Sequence, residues 1–261
     1  MIDFSRIYSY SKIDLFNKCK QQYYFNYLDP EINKKDFLKP RDYKTKGSAV
    51  HGAITLFYHS KNKTFNNLKK CLEKAWFSEI DINKKPPLGE VGGFKDLNHE
   101  RKVYMDSLQL LYNFYDMDEG LDLFYFPIKT IRDSFEDYEK MIKPLFADIS
   151  ISGKFDRIDK IDNGLRIVDF KTGKSKNGFS QLEFYKLLAE LNFNKKVNQV
   201  SYYYLNDKKI QDFNVSDSDT KAIKDKIINK IKKIRETKEF PPNPSSLCNH
   251  CDFKEICPAF D

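Results

Sequence analysis

The spacing of apolar residues along this chain changes about half-way, from a helical period to a strand period. Early on, Ser11 is followed by Ile13, Phe16, Cys19 and Tyr23 at intervals of three and four. That is the period of one helix face, and Asp14 is placed as a capping partner. Val50, Ala53, Ile54 and Phe57 repeat the interval and predict a helix over Lys46–Ser60; two more are expected around Leu68–Trp76 and Leu97–Tyr115. Between those two, Lys84–Lys95 (KKPPLGEVGGFK) reads as a loop by its Pro and Gly.

From about Tyr138 the pattern shortens toward alternation. Ile149–Ile161 and Leu165–Lys171 read as two strands around Asp162-Asn163-Gly164. Asn-Gly predicts a two-residue type I′ turn, because both residues accept a positive φ. A helix is expected from Ser180 to about Leu191, opened by a Ser180/Glu183 capping box. Strands at Val197–Leu205 and Ile210–Val215 follow, then a Lys-rich helix over Asp217–Lys238 with Ile223, Ile227, Ile231 and Ile234 as its apolar stripe. Pro241, Pro242 and Pro244 end that helix. There is no internal repeat.

Composition narrows the class of protein. At 261 residues with 40% hydrophobic and 15% aromatic content, the chain can bury a full core. Its net charge of +7 suits a polyanionic partner without establishing one. The N-terminus has no apolar signal region and no apolar run is long enough to cross a bilayer, so a cytoplasmic protein without a membrane partner is expected. Disulfides are disfavoured there, so the five cysteines need another account. Cys71 lies in an apolar helical stretch and reads as a small buried hydrophobe.

The candidate chemistry lies in GKFDRID (Gly153–Asp159) and IVDFKTG (Ile167–Gly173). An Asn163-Gly164 turn would set Asp162 opposite Leu165, Asp156 opposite Lys171 and Ile158 opposite Asp169. Alternation then puts Asp156, Asp169 and Lys171 on one face. Two carboxylates beside an ammonium can hold a hard divalent cation against a phosphodiester. They are equally the make-up of an exposed cross-strand ion pair, worth about 0.2–1 kcal/mol.

The cysteines form a split set. Cys248-x₂-Cys251-x₅-Cys257 closes the chain, and Cys19 lies near its start. By spacing alone such thiolates suit zinc or an iron–sulfur cluster, and His250 offers a fourth zinc ligand.

Gly153-x-x-Asp156 followed by Asp169-x-Lys171 resembles the core of the PD-(D/E)XK nucleases. More narrowly it resembles the nuclease domains of RecB and AddB and the CRISPR-associated RecB-like exonucleases. The resemblance implies an α/β fold, a restriction-endonuclease-like mixed sheet flanked by helices. It would be one domain over residues 1–261, with a helical part to about 135, a nuclease core to about 240 and a cysteine tail packing with Cys19. It implies Asp156, Asp169 and Lys171 as catalytic residues. Gly47-Ser48-Ala49-Val50-His51 resembles the segment that supplies a metal-binding histidine, so His51 joins Asp156, Asp169 and the Phe170 carbonyl as metal ligands. Gln181-Leu182-Glu183-Phe184-Tyr185 resembles the Gln-x-x-x-Tyr motif of this branch, which carries Gln181 and Tyr185 into the site. In the same branch Cys19, Cys248, Cys251 and Cys257 hold a 4Fe–4S cluster.

What the resemblance implies is an exonuclease using Mg²⁺ or Mn²⁺ on single-stranded DNA or DNA ends, in recombination and repair, CRISPR adaptation or phage DNA processing. Tyr202–Tyr204 and Lys221–Lys238 would add stacking and backbone contacts, or serve only as strand core and solvated helix face. Gly173-Lys174-Ser175 is no P-loop, since Val168 stands where its first Gly is required. A helicase or a CRISPR integrase would then be a separate partner. The competing expectation is a DNA-binding assembly subunit of an integration or recombination complex.

Overall fold

Helices form where the three-four spacing lies, and strands where it shortens. The computed structural model describes residues 3–78, 87–118, 122–127, 141–173 and 178–260. In chain order the elements are β1 (Ile7–Tyr8), α1 (Tyr10–Lys18), α2 (Lys20–Tyr27), α3 (Asp42–His59), α4 (Phe65–Ser78), α5 (Leu97–Met117) and β2 (Leu123–Tyr125). They continue with β3 (Lys143–Phe146), β4 (Ile149–Ile151), β5 (Arg157–Ile161), β6 (Gly164–Lys171), α6 (Ser180–Phe193), β7 (Val197–Tyr204), β8 (Lys209–Asn214) and α7 (Thr220–Glu236). No described helix is long and apolar enough to cross a membrane. Tyr138, Lys84 to Pro86, and Lys174 and Ser175 of the P-loop-like run lie outside the described residues.

These elements sort into two units that interleave in sequence. One comprises Met1–Lys39, Ile142–Gly153 and Asp219–Asp261; the other comprises Pro40–Met141 and Lys154–Ser218. The first carries a small sheet ordered β1-β4-β3, with β1 parallel and β3 antiparallel to β4. Ile223, Ile227, Ile231 and Ile234 form the buried stripe of α7, as their spacing predicts. The expected first helix is broken. Ser9, not Ser11, caps α1 by accepting the Lys12 amide at 3.2 Å. Cys19 is extended (φ −156°, ψ 113°) and caps α2, its sulfur 3.5 Å from the Gln22 amide.

The second unit holds a mixed sheet ordered β2-β5-β6-β7-β8, in which only β6 and β7 are parallel. Parallel neighbours need a crossover, and α6 lies between them in sequence. Val168 and Phe170 of β6 share a core with Val50, Ile54 and Phe57 of α3, Leu72 of α4 and Phe114 of α5. Alternation sends Ile167, Asp169 and Lys171 to the opposite face. There α6 meets the chain, with the Tyr185 and Phe193 rings 5.6 and 6.2 Å from that of Phe155. Helices on both faces of a mixed sheet make this an α/β fold, as expected.

Two readings of the strands need correction. Ile149–Ile161 is not one strand: β4 ends at Ile151, β5 begins at Arg157, and the two belong to different sheets. The hairpin register is also shifted. Ile161 pairs with Gly164 and Ile158 with Ile167, so the turn residues are Asp162 and Asn163, with Asn163 at φ 62°. Gly164 serves the strand rather than the turn. A Cβ there would stand 2.6 Å from the Lys196 carbonyl oxygen and 2.8 Å from the Asn198 amide nitrogen. Both turns have two residues, so the slip is by two and no side chain changes face.

Candidate active site and thiol pocket

Asp156 lies just before β5, at the sheet end where β6 finishes, so it stands near Asp169 and Lys171. One of its oxygens accepts the Phe170 amide at 2.9 Å, which ties the carboxylate to β6. The other lies 3.0 Å from Nδ1 of His51, from α3. The remaining histidines of the second unit are engaged elsewhere: His59 lies 2.7 Å from the Pro127 carbonyl and His99 3.3 Å from Asp42. Position therefore separates His51 from them, as the family resemblance of its surroundings implied.

Lys171 faces Asp169 at 2.7 Å and donates to Gln181 Oε1 at 2.9 Å. Gln181 Nε2 lies 3.2 Å from Asp169 Oδ1 and 3.2 Å from the Tyr185 hydroxyl. Residues four apart share a helix face, so α6 presents both groups together. Its expected cap is absent: Phe179 takes the cap position without a side-chain bond, and Ser180 is already helical.

The electrostatics drive the two carboxylates apart. Burial raises Asp156, but the His51 charge and hydrogen bond, the Phe170 amide and Lys171 outweigh it and hold the group below the usual carboxylate value. Burial and the charge of Asp156 push Asp169 up to about 6, against the pull of Lys171 and His51. For His51, burial acts downward and Asp156 upward; the carboxylate prevails and the imidazole is raised. Asp169 is 5% exposed, and its Oδ2 has no hydrogen-bond donor aligned on it although Lys171 is close. A buried carboxylate oxygen facing one ammonium, beside a second carboxylate and an imidazole, suits a hard cation. Among the described residues, no three His, Cys, Asp or Glu side chains stand in the mutual arrangement of a metal site. At this sheet end His51 and Asp156 are bonded to each other, and Lys171 covers Asp169.

Beneath the site lies a network that sequence reasoning passed over. Arg157, fully buried, donates to both oxygens of Asp159 at 2.6 and 2.8 Å, to the Tyr58 hydroxyl at 2.9 Å and to Asp118 at 2.7 Å. Arg and Asp two apart on a strand share a face, which was the available signal. Tyr202, Tyr203 and Tyr204 are at most 7% exposed, so they form strand core and not a stacking surface.

In the first unit, Cys19, Cys248, Cys251 and Cys257 line one cavity of about 60 Å³. Ser245 opens a short turn over Ser246–His250 and its amide reaches Cys248 Sγ at 3.3 Å. Burial pushes the Cys251 thiol up, opposed by the Phe253 amide and reinforced by the other three cysteines. Phe25 and Phe253 line the pocket with their rings 5.5 Å apart, and Phe37 packs against Phe253 at 5.6 Å. His250 does not line it, and Cys71 sits apart in the helical core.

No curated protein matches the chain. A family model does match, over residues 7–258 and hence through both units. The chain belongs to the PD-(D/E)XK nuclease superfamily, whose members are generally nucleases.

Proposed function

We propose that this chain is a metal-dependent deoxyribonuclease acting as an exonuclease on single-stranded DNA or DNA ends. The observation that carries the reading is the convergence of Asp156, Asp169 and Lys171 at one sheet end, with His51 bonded to the first and Gln181 to the other two. His51, Asp156, Asp169 and the Phe170 carbonyl would hold Mg²⁺ or Mn²⁺. When bound, the metal polarises the phosphate and acidifies water. Lys171 orients the attacking water and balances charge developing on the phosphorus oxygens. Gln181 holds Lys171 through its carbonyl and reaches Asp169 and Tyr185 through its amide. The choice of an exonuclease rests on the Gln-x-x-x-Tyr resemblance of Gln181 and Tyr185. DNA contacts are assigned to exposed lysines such as Lys221, Lys232 and Lys233 of α7.

In the same reading the four cysteines hold a 4Fe–4S cluster, with zinc as the alternative. What supports this reading is donor chemistry and not a preformed arrangement: four thiols line one cavity, and backbone amides approach the sulfurs of Cys19 and Cys248. Such a cluster is structural and ties the first residues of its unit to the last. A helicase or a CRISPR integrase would supply activities for which this sequence has no motif.

Degradation of end-labelled DNA by wild type, Lys171→Ala and Asp169→Ala tests the assignment. Cleavage should need Mg²⁺ or Mn²⁺, spare circular single strands and vanish in both variants. Equal activity in all three proteins would overturn it, and binding without cleavage in any metal would favour an assembly subunit.

A further inference from the structure

We propose that Tyr202 is a positioning residue for Lys171, an inference that rests on the catalytic role given to that lysine. Tyr202 lies on β7 opposite Asp169 of the parallel strand β6 and is fully buried. Its ring centroid is 5.0 Å from the Lys171 ammonium. Its hydroxyl donates to the Gly178 carbonyl at 3.0 Å and lies 3.4 Å from Gln181 Oε1.

The two ends of this side chain do different work. A lysine stem has four flexible carbons, so its ammonium must be held from several sides to stay in one place. Asp169 and Gln181 hold it with oxygens, and both have other partners: Asp169 is a proposed metal ligand and Gln181 also serves Tyr185. The Tyr202 ring attracts the cation through its negative face. It is neutral, so it neither competes for a metal nor takes a proton. The hydroxyl fixes the ring by anchoring it to Gly178, three residues before Gln181. β7 thereby sets where Lys171 sits, although no reacting group is placed on that strand.

The test uses the full chain with ¹³C-labelled lysine, first without metal. Protons lying over an aromatic face are shielded, so the Lys171 ε-methylene signal, identified by its loss in Lys171→Arg, should be displaced upfield. Tyr202→Phe keeps the ring and should keep the displacement; Tyr202→Leu should abolish it. In the nuclease assay Tyr202→Leu should lower kcat about 30-fold, the effect of a desolvated cation–π contact, with KM little changed. Tyr202→Phe should restore most of that loss, which general loosening of the strand would not allow. An unshielded Lys171 in wild type overturns the proposal, as does equal kcat in the Leu and Phe variants. The wild-type signal decides the matter even if Tyr202→Leu does not fold. An inactive wild type or an active Lys171→Ala would overturn the nuclease reading instead, leaving the shielding as a separate result.

Discussion

The carboxylate site and the thiol pocket are both candidate cofactor sites, and they are built in opposite ways. At the sheet end, donors come from strands and helices and are already bonded to one another: His51 to Asp156, Lys171 to Asp169 and Gln181. In the pocket, Cys19 sits at a break between two helices, and the other three cysteines lie on or beside short turns over Ser246–His250 and Lys254–Ile256. Regular structure therefore holds the oxygen donors in place before any ligand arrives. The sulfur donors rest on turns, where a cross-link between distant segments adds most to order. The first arrangement favours activity at some cost in stability, because it brings like charges together; the second should favour stability.

The largest expected effect tests the active half of this contrast. Lys171→Ala and Asp169→Ala should each lower kcat at least about 100-fold, as removal of a transition-state donor does elsewhere, and Asp169→Ala should not lower Tm. A matching fall in Tm would show the site to be structural. Next in size, Arg157→Met leaves Asp159 buried and without its cation. It should cost about 3–5 kcal/mol in stability, read by chemical denaturation, because an uncompensated buried charge remains. A loss below about 1 kcal/mol, the worth of an exposed pair, would mean the network is solvated.

A smaller effect follows from the pH behaviour of Asp169. Held at about 6 rather than 3.8, it binds a proton more tightly in the folded chain than in the unfolded one. Its contribution to stability is therefore present below pH 3.8 and lost as pH rises through about 6. Without metal, Asp169→Asn should be more stable than wild type at pH 8, by about 3 kcal/mol. That advantage should disappear near pH 4, and a constant difference across the range would exclude the titration. Metal-dependent cleavage should fall as pH drops through about 6, since a proton competes with the cation for this carboxylate.

The thiol half gives the smallest effect on chemistry. Cys251→Ser should remove the visible thiolate–iron absorbance of anaerobically purified protein and lower Tm, while kcat on short single strands stays within about twofold. Cys71→Ser should leave the absorbance intact. Zinc in place of iron would show as bound metal without colour.

How much of this could be read from the sequence depends on the distance over which each feature is decided. The three-four spacing of Val50, Ala53, Ile54 and Phe57 located α3 to within a few residues, because helix formation and amphipathicity are local. The common face of Asp169 and Lys171 was legible from alternation, and the hairpin brings Asp156, just before its first strand, to the same sheet end. The turn itself was misread: packing of Lys196 and Asn198 against Gly164 gives the loop to Asp162 and Asn163, and those neighbours lie beyond the hairpin. The break between β4 and β5 was hidden for a similar reason, since strand propensity does not say which sheet a segment joins.

The place of Tyr202 was further from reach. Nothing in the residues around it marks a partner for Lys171; that follows from the parallel pairing of β6 with β7, which lies across an intervening helix. His51 needed the family pattern to be chosen, and only folding set its imidazole against Asp156. What this sequence determined alone was the set of elements, the shared face of its hairpin charges and the grouping of its late cysteines. Tertiary structure decided register, the partners of each charge and the joining of Cys19 to the tail. Periodicity is a property of one segment, whereas register and ion pairing depend on contacts between segments far apart in the chain.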